Sequence, residues 1–238
     1  MIGEKDISMN MDMDEFSQTI IDQVHEKWRN LERYKQTKYG IWDCGFSVLY
    51  SPLRANADLM ILGFNPGGDE KAFKVEDEIK VPRSHSYIPR DKQCDYPLAK
   101  KMRGLFEGKM HLLEESVKAN LIPFRSPNKP AWYAIDPNLR TDLECFSRDI
   151  VQQLLERVQP RIVLMEGTQT FDLFCQWFKE KIIPGDENPL RGTRNRRLFC
   201  RARMIDERQV IGIIHLSGAR PSMKDTETIK DELGKDLS

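Results

Sequence analysis

The chain reads as an α/β domain built on a parallel sheet, and three observations predict it. Short apolar runs end abruptly in polar or turn-forming residues at 58–64, from Val117 onward, at Ile162–Met165 and at Val210–Ile214. Between them lie stretches whose apolar positions recur every three or four residues, the spacing of one helical face. No internal repeat interrupts the alternation, and strands alternating with helices argue a parallel sheet covered on both faces. A length of 238 residues is ample for one sizeable domain of this kind.

Residues 13–36 place Phe16, Ile20, Val24, Trp28 and Leu31 on one face, which predicts an amphipathic helix packed on the body of the protein. The run 58–64 is a buried strand, and Asn65-Pro66-Gly67-Gly68 forces the chain to turn directly after it. The polar stretch 69–96, with Val81-Pro82, Tyr87 and Ile88-Pro89, reads as a long loop, a feature that in compact domains tends to accompany function. A lid over a site would suit it. A helix over 97–116 leads into a strand that starts at Val117 and ends at or near Asn120. Residues 140–158 carry Leu143, Phe146, Ile150, Leu154 and Leu155 at helical spacing, Pro160 stops the helix, and Ile162–Met165 is the next strand. Glu166-Gly167-Thr168 then turns into a helix holding Phe171, Phe174, Trp177 and Phe178. After an arginine-rich stretch at 191–203, the apolar run Val210–Ile214 delivers His215-Leu216-Ser217-Gly218-Ala219-Arg220-Pro221-Ser222. The expected division is a helical segment at 1–45, the α/β domain at 46–222 and a charged C-terminal tail at 223–238, read as a surface helix or a frayed end.

Lysines plus arginines (37) equal aspartates plus glutamates (37), so any attraction to nucleic acid has to come from local clustering. Cys44, Cys94, Cys145, Cys175 and Cys200 are scattered, with no C-x-x-C pair and no histidine at ligand spacing. That pattern predicts reduced thiols, no metal and no cofactor. The opening residues lack the apolar core of a signal peptide, and no stretch approaches the ~18 apolar residues of a membrane span. A cytoplasmic monomer without membrane contact is the expectation.

Three strand ends present Asn65, Asn120 and His215. Ligands of open α/β sheets collect outside the carboxyl ends of the strands, so the three are candidates for one site. Each also has a plainer reading. Asn65 suits an ordinary tight turn, Asn120 a buried tie between loops, and His215 a loop cap.

Gly63-Phe64-Asn65-Pro66-Gly67 resembles the first active-site motif of the uracil-DNA glycosylase superfamily. His215-Leu216-Ser217-Gly218 is similar to its closing His-Pro-Ser motif, with Leu216 in the usual place of proline, and Asn120 falls between the two at a strand end. The Asn-Pro-Gly pattern is that of the mismatch-specific and single-strand-selective branches. The four cysteine ligands of the cluster-bearing branch are absent.

The resemblance implies a three-layer α/β/α fold around a short central parallel sheet, and a monofunctional DNA glycosylase. Its substrate would be a damaged, mismatched or C5-modified pyrimidine, flipped out of single- or double-stranded DNA and cut from its sugar. A modified base of foreign, phage DNA is among the expected targets. By the same resemblance, Asn65 positions the attacking water, His215 donates as a neutral ring to the base O2, and Asn120 reads the pyrimidine edge. Gly63, Phe64 and Pro66 belong to the base-holding turn, whose successive N–H groups suit an oxygen of the base or a phosphate. Gly67 stands where the uracil-restricted branch has a tyrosine that blocks C5 substituents. Tyr87 and Phe73 are candidates to stack on the base, and Ser217, Arg220 and Ser222 to touch phosphate or enter the vacated stack.

Arg191, Arg194, Arg196, Arg197, Arg201 and Arg203 form the strongest local charge excess and a candidate track for the DNA backbone. Lys100, Lys101 and Arg103 make a second group. No lysine lies in the motifs, so a Schiff-base lyase step is not expected. A non-catalytic module that senses a base or nucleotide, and a nucleoside hydrolase, are the alternative readings.

Overall fold

In the computed structural model the apolar runs of the sequence become neighbouring strands of one sheet. The structure describes residues 12–31, 44–68, 73–88, 95–185 and 189–237, except for the side chain of Arg194. Cys94, parts of the 69–96 stretch and the Arg194 side chain therefore lie outside the described residues.

The chain runs through α1 (Met13–Arg29), β1 (Leu59–Gly63), α2 (Val75–Glu78), α3 (Pro97–Leu105), α4 (Met110–Glu114), β2 (Val117–Asn120), α5 (Lys129–Tyr133) and α6 (Pro137–Val158). It continues through β3 (Ile162–Glu166), α7 (Thr168–Trp177), β4 (Ile182–Pro184), β5 (Leu190–Arg191), β6 (Arg197–Met204), β7 (Gln209–Ile213) and α8 (Met223–Asp236). The strand order is β2-β1-β3-β7-β6-β4, with β5 also on β6. The first four strands are parallel, and β6 runs antiparallel to its neighbours. Every residue of β1, β2 and β3 is buried, as strands covered on both faces require.

The two faces have separate cores. Met60, Leu62 and Val163 pack on one side with Ile20, Val24 and Trp28 of α1, Leu143 and Leu154 of α6, and Phe171 and Phe174 of α7. Leu59, Ile61, Leu164 and Ile211 pack on the other with Ala99 and Met102 of α3, Leu113 of α4 and Ile229 and Leu233 of α8. A mixed α/β architecture with a mostly parallel central sheet between helices results.

Local chemistry sets the boundaries. The α6 helix begins where Asp136 accepts the N–H groups of Asn138 and Leu139 ahead of Pro137, and it ends at Gln159, whose φ is 49°. The predicted helix 97–116 divides in two around Gly108, whose φ of +82° a helix cannot accommodate. The arginine-rich stretch, read from the sequence only as a charge cluster, contains an eight-residue strand. Residues 223–236 form a helix with a Ser222–Asp225 capping box and with Ile229 and Leu233 buried beneath it. Within 69–96 the described part is not surface loop throughout, because Tyr87 is fully buried and His85 nearly so.

Candidate functional site

Parallel register brings side chains at the carboxyl end of the sheet into a row. Gly63 of β1 lies beside Asn120 of β2, and Leu62 beside Met165, so one further residue sets Gly63 next to Glu166. One rung deeper, Lys118 lies beside Ile61 on the same face. Above this row opens a cavity of about 1120 Å³ whose walls include Asn65, Asn120, Glu166 and His215. The three strand-end groups singled out from the sequence thus line one cavity.

Each is held in a defined orientation. The Asn65 Nδ2 donates to the Ser126 hydroxyl at 2.7 Å and to the Phe124 carbonyl at 3.3 Å. A carbonyl only accepts, so the amide is oriented by this contact, and among the described residues its Oδ1 has no donor. The Gly218 N–H donates to His215 Nδ1 at 3.1 Å, with the Ser217 hydroxyl at 3.2 Å from the same nitrogen. A neutral ring that accepts at Nδ1 carries its proton on Nε2. Burial lowers the His215 pKa, followed by an opposing pull from Glu166, so the neutral form prevails at pH 7. Gly167, at φ +118°, sits against the ring, and a Cβ there would lie 3.7 Å from His215 Cβ.

Asn120 leans over Gly63, where an added Cβ would come within 2.2 Å of its Oδ1. Glycine is therefore required at 63 by the closeness of the asparagine. At Gly67 a Cβ would meet nothing within 4 Å among the described residues, which leave the space beside it open. Phe64, Pro66 and Gly67 all line the cavity. Gly68 adopts φ +128° below Arg125, which donates to the Gly67 carbonyl at 3.2 Å.

Glu166 joins the row to a charged network of which the sequence reading singled out only Tyr87. Lys118 Nζ donates to Glu166 Oε2 at 2.9 Å, and the Tyr87 hydroxyl donates to Glu166 Oε1. Both charged residues are only 4 % exposed. Burial would raise the Glu166 pKa, but the Lys118 ammonium and the hydrogen bonds from Tyr87 and Lys118 outweigh it and hold the group ionised. The Lys118 ammonium lies 4.5 Å from the Tyr87 ring centre and 5.4 Å from that of Tyr50. Glu166 carries the same signal as Asn65 and His215, a polar side chain where an apolar run stops. Lys118 is signalled by its two-residue spacing from Asn120, which puts both on one face of the strand.

The remaining predicted residues divide. Tyr87 lines the cavity beside Tyr96, their rings 6.0 Å apart. Phe73 packs instead against Trp28 and Phe46, at 5.3 and 5.6 Å, and is outside the cavity wall. Ser217 lines the cavity, whereas Ser222 caps α8 and Arg220 is exposed beyond the rim.

Arg196 and Arg197 reach the cavity, but both are engaged within the chain: Arg196 donates to the Ala219 carbonyl, and Arg197 pairs with Asp172. Arg201 pairs with Glu232 and Asp236, and Arg203 with Glu207. In the second basic group, Arg103 pairs with Asp95 and Lys101 donates to the Leu216 carbonyl. Lys129 stands at the cavity wall 4.3 Å from the Phe64 ring centre, its pKa lowered by burial.

Among the described residues no group of three or more histidine, cysteine or acidic side chains could hold a metal ion, and no helix is long and apolar enough to cross a membrane. Cys145, Cys175 and Cys200 are free thiols. No protein-family model matches the chain, and no curated protein is significantly similar to it.

Proposed function

We propose that the chain is a monofunctional DNA glycosylase that hydrolyses the N-glycosidic bond of a C5-substituted or mismatched pyrimidine, on a fold of the uracil-DNA glycosylase type. The observation that carries the reading is the convergence of Asn65, Asn120 and His215 on one cavity, with Asn65 and His215 each oriented by hydrogen bonds from or to their surroundings. Breaking the bond leaves positive charge on the sugar and negative charge on the departing base, so preorganised donors aimed at the base supply most of the acceleration. His215, with its proton on Nε2, is such a donor for the pyrimidine O2. Asn65 Oδ1 is an acceptor able to orient the attacking water. Asn120 offers an amide to the Watson–Crick edge of the everted base, and the open space beside Gly67 accommodates a substituent at C5.

The cavity does contain lysines, Lys118 and Lys129. The ammonium of Lys118 is held by Glu166, and the water-based reading assigns neither lysine a covalent step. Single- and double-stranded oligonucleotides carrying uracil, thymine mismatches or 5-hydroxymethylpyrimidines are the test. Alkali should reveal abasic sites at one class of modified pyrimidine, and borohydride should trap no protein–DNA adduct. Intact strands throughout would reject the reading, while a trapped adduct would replace hydrolysis by a lyase route through lysine.

A further inference from the structure

The row Asn120–Gly63–Glu166 has a gap in its middle. Gly63 has no side chain, and the amide on one side and the carboxylate on the other lean across it. A Cβ at Gly63 would lie 2.2 Å from Asn120 Oδ1 and 3.3 Å from Glu166 Oε2. Those two distances laid end to end are shorter than two hydrogen bonds, so a single small group above Gly63 can reach both oxygens. Both are acceptors, and one carries a full negative charge held in place by Lys118 and Tyr87. Lys118 belongs to the strand position one rung deeper, also lines the cavity, and has its ammonium engaged by Glu166 Oε2 at 2.9 Å.

From this geometry we infer that Glu166 sets base specificity, together with Asn120, by receiving the exocyclic 4-amino group of a cytosine-type base and rejecting the 4-oxo group of a uracil-type base. The inference rests on the glycosylase reading and deepens it. An amino group over Gly63 donates one hydrogen to Asn120 Oδ1 and the other to Glu166 Oε2. A carbonyl oxygen in the same place faces two acceptors. Turning the Asn120 amide relieves one of those repulsions and leaves the other, because a carboxylate has no donor to turn. A site built to satisfy an N–H in this way discriminates strongly against an analogue that lacks it, since its buried acceptor is left unpaired.

The test compares release of 5-hydroxymethylcytosine and 5-hydroxymethyluracil from otherwise identical single-stranded oligonucleotides, under single-turnover conditions. These substrates differ at position 4 and, coupled to it, in whether N3 carries a hydrogen, so the Glu166 variants isolate the position-4 contact. The wild-type protein should release the cytosine form at least about tenfold faster. Glu166→Gln, whose amide can donate to a 4-oxo group, should bring the ratio to unity or reverse it. The double variant Lys118→Met/Glu166→Gln, which leaves no buried charge unpaired, should do the same and covers the case in which the single variant fails to fold. Equal rates or faster release of the uracil form by the wild type would overturn the inference while leaving the glycosylase reading intact. So would an unchanged ratio in the folded variants. Release of no base from any DNA would remove both.

Discussion

In the proposed reaction His215 concentrates the chemistry into one proton. Because Gly218 donates to Nδ1, the imidazole is a donor only at Nε2, and protonating Nδ1 would set two hydrogens against each other. Burial holds its pKa below 6.5, so base release should be independent of pH from neutrality upward and decline only as the pH falls below that depressed value. A pH–rate profile under single turnover checks this, and His215→Gln should remove the acidic limb with a loss of about a hundredfold or more. A second imidazole provides a stability test. His85 accepts the Tyr87 N–H at Nδ1 and meets the Ser116 hydroxyl at 2.9 Å through Nε2, and burial, then Lys118, pushes its pKa down to about 4. Its folded pKa lies below its unfolded one, so the unfolded chain takes up the proton first as pH falls. Its contribution is intact above pH 6.5 and is lost between there and about pH 4, to the extent of about 3 kcal/mol. Urea midpoints should fall over that window less steeply in His85→Gln than in the wild type.

The strand ends carry the site, and their spacing depends on glycine. Gly63→Ala would put a methyl where Asn120 Oδ1 now lies, so base release should drop by more than about tenfold while the thermal midpoint falls only by the few degrees that an overpacking cost of about 1–3 kcal/mol brings. Parallel assays of cleavage and melting separate the two effects. Most of this arrangement was legible beforehand. The apolar runs at 58–64 and Val210–Ile214 announced β1 and β7, and the polar residues just after them announced Asn65 and His215. Glu166 follows its own apolar run in the same way, but Gly167 and Thr168 beside it made the segment look like a turn alone. Phe73 and Tyr87 were equivalent in the sequence, aromatic residues in one polar stretch. Only packing separates them, Phe73 against Trp28 and Phe46, Tyr87 beneath the cavity. Gly108 divides the predicted helix through its left-handed backbone, which the spacing of apolar residues does not encode.

Charge behaves differently when summed over the fold than when counted along the chain. Arginines at 197, 201 and 203 look like a polycationic track in sequence, yet each meets a carboxylate contributed by another segment or by the adjoining turn. Partners such as Asp172, Glu232 and Asp236 are distant in sequence, and that is why the neutralisation was not legible there. With Arg197, Arg201 and Arg203 engaged internally, DNA affinity should depend on salt only as steeply as about two or three phosphate contacts require. A plot of log Kd against log salt concentration measures this, and a slope matching six contacts would restore the whole arginine cluster to the DNA interface.

Asn65 offers the most direct test of a catalytic cavity, since its amide is oriented by Phe124 and Ser126 and its Oδ1 has no donor among the described residues. Single-turnover base release from an oligonucleotide bearing a C5-modified pyrimidine should be readily measurable for the wild type. In Asn65→Ala it should fall by about a hundredfold or more, with DNA binding retained. Equal rates in the two proteins, or binding without any base release in the wild type, would contradict hydrolysis at this site.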